Sequence, residues 1–139
     1  MQFAQLSDKA EAARAEADTI DVGVFPGTWV NSNPDTSGIA RLKMTQTNGN
    51  LALQVLAIGP DGTLIDWGTE NVSVFASSPS SRIGAGFTGS FDFGFADARL
   101  QGMIMKGLLV LAQFHHFKDD SRRVSYFLRE YFALEHGRY

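Results

Sequence analysis

From residue 27 onward, apolar and polar side chains alternate with a period of two. In 39–47 (IARLKMTQT), Ala40, Leu42 and Met44 share one face, and Arg41, Lys43 and Thr45 share the other. That is the pattern of a half-buried strand. Asn48-Gly49 follows, and both residue types tolerate the positive φ of a tight hairpin turn. Leu51 to Ile58 reads as the partner strand, and Pro60-Asp61-Gly62 as the next turn. Further on, Phe87, Gly89, Phe91, Phe93 and Phe95 line one face. Lys106-Gly107 is a second tight turn, and Leu108 to Phe117 is so apolar that both its faces should be covered. The pattern predicts eight strands, at 27–32, 39–47, 50–58, 67–76, 84–94, 97–105, 108–117 and 123–134. All connections are short, and no second helix is available for a parallel crossover. The expected fold is all-β, an eight-stranded antiparallel up-and-down barrel, because closure removes both exposed edges. An open sandwich is the competing arrangement.

Ahead of the strands the period changes. Phe3, Leu6, Ala10, Ala13 and Ala17 recur at spacings of three and four, which predicts a short N-terminal α-helix over 3–18. Its alanine-rich stripe buries little area, so weak docking on the barrel or on another subunit competes with a solvated arm. The expected organisation is an N-terminal helix or arm over 1–22 and one β-barrel domain over 23–139.

Composition narrows the function classes. A chain of 139 residues, 44% hydrophobic, suffices for one packed core. Its eleven Phe exceed what a minimal core needs, so an aromatic-lined cavity and a Phe-rich solid core both fit. The net charge is −3 and Lys and Arg do not cluster, which argues against nucleic acid as a partner. Cysteine is absent, which excludes disulfides, thiolate metal sites and a Cys nucleophile. No run reaches the roughly 18 apolar residues of a membrane span. Residues 1–17 lack the apolar core of a signal peptide, so a cytoplasmic location is expected.

Gly27-Thr28-Trp29 resembles the first-strand signature of the calycin barrels, the group that includes lipocalins and avidins. The resemblance implies a Trp closing one barrel end with an Arg from the last strand packed across it, and it offers Arg123 or Arg129 for that place. Gly27-Thr28-Trp29-Val30-Asn31 is also similar to the avidin first strand, whose Asn contacts biotin. Avidin pockets carry several Trp, whereas this chain has Trp29 and Trp67. The run from Gly27 to Ile39, with Asp66-Trp67-Gly68, His116-Phe117 and Tyr126 to Phe132, resembles a group of small bacterial barrel proteins without an established activity. That likeness implies an architecture and no reaction.

The candidate chemistry lies late in the chain. His115 and His116 are adjacent in a strand, so one faces in and the other out, and the pair cannot share an interior metal. An interior His serves as a hydrogen-bond partner, an acid or base, or a structural group tied to a carboxylate. Tyr126 and Glu130 share one face of the last strand, and Arg129 and Tyr131 the other. The loop Asn33 to Gly38 is rich in turn formers and reads as structural. No glycine-rich phosphate loop or nucleophile elbow is present. The candidate ligand-binding set is Trp67, Phe91, Phe93, His116, Tyr126 and Glu130, with no cofactor and no metal expected. Three functions fit. One is a barrel binding a small, largely apolar molecule. The second is a cofactor-independent cyclase or isomerase acting on a hydrophobic natural-product intermediate through His115 or His116, Tyr126 and Glu130. The third is an assembly protein with a solid barrel, its helix making homo-oligomer contacts.

Overall fold

A computed structural model describes residues 20–135. The helix expected over 3–18 and His136 lie outside them. The described residues form eight antiparallel strands: β1 (Gly27–Asn31), β2 (Ile39–Thr47), β3 (Asn50–Ile58), β4 (Leu64–Ala76), β5 (Gly84–Asp92), β6 (Ala96–Met105), β7 (Leu108–Phe117) and β8 (Tyr126–Leu134). Each pairs with the next, and β8 returns to β1 through Trp29↔Leu134, Val30↔Ala133 and Asn31↔Phe132, so the sheet is a closed barrel. Two of the hairpins turn as expected. Asn48 and Gly49 take φ of 51° and 82°, and Lys106 and Gly107 take 52° and 82°. Both central residues are therefore left-handed, the geometry that matches strand twist. Among the described residues no helix is long and apolar enough to cross a membrane.

The two barrel ends differ. At the end where β1 begins, the interior is solid. Trp29, Leu42, Met44, Leu51, Leu53, Phe87, Leu100, Leu109, Leu111 and Phe132 are buried there with Val22 and Phe25. Residues 20–25 plug this end. Asp21 donates its N–H to the Arg82 carbonyl, and Gly84 N–H donates to the Asp21 carbonyl. Phe25 then drops in edge-on against Phe87, with ring centroids 5.6 Å apart. Burying each such ring is worth about 1.5–3 kcal/mol. The Trp29 indole N–H donates to the Phe25 carbonyl at 2.9 Å. The arginine cap implied by the calycin resemblance is therefore replaced. Arg129 sits opposite Ala112 on the outer wall, and Arg123 stands at the other end of the barrel, over the Phe117 ring at 4.2 Å.

Bulges interrupt two of the ladders, and the first corrects an expected face. Ile39 pairs with Ala57 and Arg41 with Leu56, so Ala40 is the extra residue and Ile39 takes the inward place instead. In β4 the pairing jumps from Val55↔Gly68 to Leu56↔Asp66, which leaves Trp67 bulged. Gly68 adopts φ 99°, open to glycine, and its N–H is held by Asp66 Oδ1 at 2.8 Å. The strand expected from 123 begins at Tyr126, because Arg123 folds back to bond Asp119 and Ser121.

Gly102 makes room for Phe87. A methyl group there would come within 2.3 Å of two Phe87 ring carbons, and Phe25 packs edge-on against the same ring. Gly102→Ala should lower stability by about 1–3 kcal/mol, read as a lower urea midpoint at unchanged m-value. Adding Phe87→Leu should restore part of the loss, and strictly additive effects would count against this contact.

Candidate functional site

The other half of the barrel is hollow. A cavity of about 460 Å³ opens where β1 ends and β8 begins. Its wall is mainly aromatic and aliphatic: Ile65 and Trp67 from β4, Phe93 and Phe95 from the β5–β6 turn, Phe117 from β7, and Tyr126 and Leu128 from β8. The turn brings both Phe to the rim because Gly94 takes φ 87° and its N–H is held by Asp92 Oδ1. The β4–β5 ladder spans Ser73–Ala76 and Gly84–Thr88. Towards the mouth, Trp67 bridges these strands, its ring 5.8 Å from Phe91 and 4.9 Å from Phe93.

Beneath the cavity lies a chain of polar groups centred on Glu130. Its Oε2 accepts from Asn31 Nδ2 at 2.9 Å and from the Thr36 hydroxyl at 3.0 Å. Its Oε1 accepts from Gln113 Nε2 at 2.9 Å. Asn31 also donates to the Ile39 carbonyl, and its own oxygen accepts from Asn33 N–H. Gln113 Oε1 faces His115 Nε2 at 2.9 Å. Only the amide's NH₂ can face a carboxylate, so Gln113 presents its oxygen to His115. His115 must then carry its proton on Nε2, and Nδ1 keeps the lone pair. Burial holds the imidazole below its ordinary value of 6.5, and the Glu130 charge opposes this with a smaller effect. At neutral pH His115 is uncharged. Its ring stacks on Tyr126 at 4.6 Å and meets the Trp67 ring edge-on at 6.3 Å.

The candidate residues fall into three groups. Trp67, Phe93 and Tyr126 line the cavity. Phe91 is buried beneath Trp67, and Glu130 is below the cavity floor, reaching it through Gln113. His116 is on the outer wall, its Nδ1 3.5 Å from Asp97. The interior place falls to His115, because Leu109, Leu111 and Gln113 set the inward parity of β7. The loop read as structural contributes directly: Thr36 bonds Glu130, and Ser37 and Gly38 join the cavity wall. Gln113 did carry a signal, as the one polar residue in the run 108–114 (LLVLAQF). Among the described residues no three His, Asp or Glu side chains converge on a metal position.

Two outcomes test the network. Glu130→Ala leaves three donors without their acceptor and should cost about 2–4 kcal/mol, more than Thr36→Val, by urea denaturation. The second outcome is a pH dependence. The folded value of His115 is lowered, so its contribution is complete above about pH 6.5, the unfolded value, and is lost as pH falls through the folded value. Glu130 and Tyr126 on β8 and Asp66 on β4 are the other ionisable groups around it. Wild-type stability should therefore drop more steeply between about pH 7 and pH 5 than that of His115→Phe. Parallel profiles would remove His115 from this role.

Comparison with protein-family models, curated proteins and solved structures finds no match to this chain.

Proposed function

We propose that the protein binds a small, largely apolar molecule in the cup at the open end of the barrel. The observation that carries this reading is the division of the interior. One half is filled by side chains, while the other keeps about 460 Å³ between aromatic walls. That volume lies within the range of small-molecule sites, which combine apolar walls with a few fixed polar groups. Trp67, Phe93, Phe95, Phe117, Tyr126 and Leu128 supply the walls; His115 and Gln113 supply the polar groups. A wholly solid barrel, as an assembly protein would have, fits this interior less well.

A cofactor-independent cyclase or isomerase is the second reading. One observation favours it: the neutral His115 places a fixed basic nitrogen beside Tyr126 on the wall of the cup. Such catalysis needs shape and one or two polar groups.

Native mass spectrometry of gently purified protein, joined to a titration with Nile red, a neutral apolar dye, tests both readings. The wild type should take up one dye per chain. Phe93→Asp, which puts a charge on the wall, should weaken uptake at least about tenfold with the fold intact by circular dichroism. Absence of both a retained molecule and dye uptake would overturn the binding reading. Recovery of a chemically altered ligand would favour the catalytic one.

A further inference from the structure

The polar atoms around the cup are nearly all committed to partners. Asp66 uses Oδ1 on Gly68 N–H and Oδ2 on Gln54 Nε2. Gln113 uses its nitrogen on Glu130 and its oxygen on His115. Ser37 sits at the exposed rim. His115 Nδ1 and the Tyr126 hydroxyl differ: neither makes a hydrogen bond to any described residue, and of the two Nδ1 is the one whose orientation is fixed, through Gln113. Among the described residues no enclosed polar side-chain atom lacks a partner. Nδ1 must therefore reach accessible space, and for a side chain that lines the cup this space is the cavity. Because Nε2 holds the proton, Nδ1 is an acceptor and offers no donor.

The charges around the cup complete the argument. Among the described residues neither Lys nor Arg contributes to the cavity wall; Asp66 borders it from β4 but turns its carboxylate to the outer face, onto Gln54, and Glu130 stands one side chain behind Gln113. Arg123 is nearby at the rim but is engaged by Asp119 Oδ2 at 2.9 Å and lies over the Phe117 ring. A carboxylate entering the cup would lose its hydration without meeting a cation, and would face the Glu130 carboxylate behind Gln113 instead. A neutral hydroxyl or N–H would meet an acceptor already aimed by Gln113.

Resting on the reading of the cup as a binding site, we infer that its ligand class is uncharged molecules with an apolar, ring-sized body and one hydroxyl or N–H donor, such as phenols and alcohols, held by donation to His115 Nδ1. Fatty-acid-like carboxylates are disfavoured by the same geometry. Gln113 and Glu130 are positioning residues in this scheme, since they act on the ligand through the tautomer of His115.

Isothermal titration calorimetry with three matched probes tests this: 1-naphthol, 1-methoxynaphthalene and 1-naphthoate, at neutral pH. The naphthol should bind roughly five- to tenfold tighter than the methoxy compound, as one hydrogen bond implies, and the naphthoate should bind weakest. His115→Phe, which keeps the ring stack on Tyr126, should bring the naphthol and methoxy affinities together. Equal affinities in the wild type would overturn the donor preference and leave the binding reading standing. Tight naphthoate binding would overturn the charge argument. Failure of all three to bind would remove both readings. A measurement on the unaltered protein guards against a misfolded variant. In ¹⁵N-histidine NMR the Nδ1 of His115 should be unprotonated and should shift with naphthol but not with the methoxy compound. A protonated Nδ1 overturns the inference.

Discussion

A carboxylate inside a small barrel has to be answered by donors, because an unpaired buried charge costs more than most domains can spare. Glu130 is answered three times, twice from the end of β1 and the loop after it and once from β7. Asn31 ends β1, Thr36 belongs to the loop that follows, and Gln113 comes from β7. Much of the open end depends on this. Asn31 bonds the Ile39 carbonyl as well as Glu130, which ties the end of β1 to the start of β2 across the loop. Thr36 accepts from Gly38 N–H while its hydroxyl donates to Glu130, which folds the loop over the barrel interior. Gln113, held by Glu130, in turn fixes which nitrogen of His115 carries the proton. One partly buried carboxylate thus sets both a loop and a tautomer.

The same carboxylate lies between two interiors of different kinds. On one side an eight-stranded barrel is just wide enough for its side chains to fill it, and Phe25, Phe87 and Trp29 do so. On the other side, bulky residues stay at the perimeter. Trp67 is bulged out of its ladder, and Phe93 and Phe95 flank a tight turn at the rim. These aromatic side chains build a wall around the axis. The bulge at Trp67 and the turn at Gly94 thus carry part of that wall.

The fold was largely legible. Period-two alternation located all eight strands, and Asn48-Gly49 and Lys106-Gly107 marked hairpins whose φ values follow from their residue types. The errors have local causes. Ala40 adds one residue to β2, and a bulge leaves alternation in sequence untouched while reversing its meaning in space. Arg123 opens the strand expected over 123–134, but its guanidinium is satisfied locally by Asp119 and by the Phe117 ring. The arginine expected beside Trp29 was unnecessary once Phe25 offered its carbonyl to the indole.

The candidate site was legible only in part. The sequence determined by itself that the chain alternates into hairpins, that one of two adjacent histidines must face inward, and that Tyr126 and Glu130 share a face, since these follow from the fixed two-residue period of a strand. It also carried a polar Gln113 in an apolar run. Only the tertiary structure decided that the inward histidine is His115 and that His116 meets Asp97 outside. It alone brought Asn31, Thr36, Gln113 and Glu130 to one point, and it alone left half of the interior open. Absolute facing depends on register and on bulges, and convergence depends on closure of β8 onto β1. Both are properties of strands paired across long separations, which no local pattern encodes.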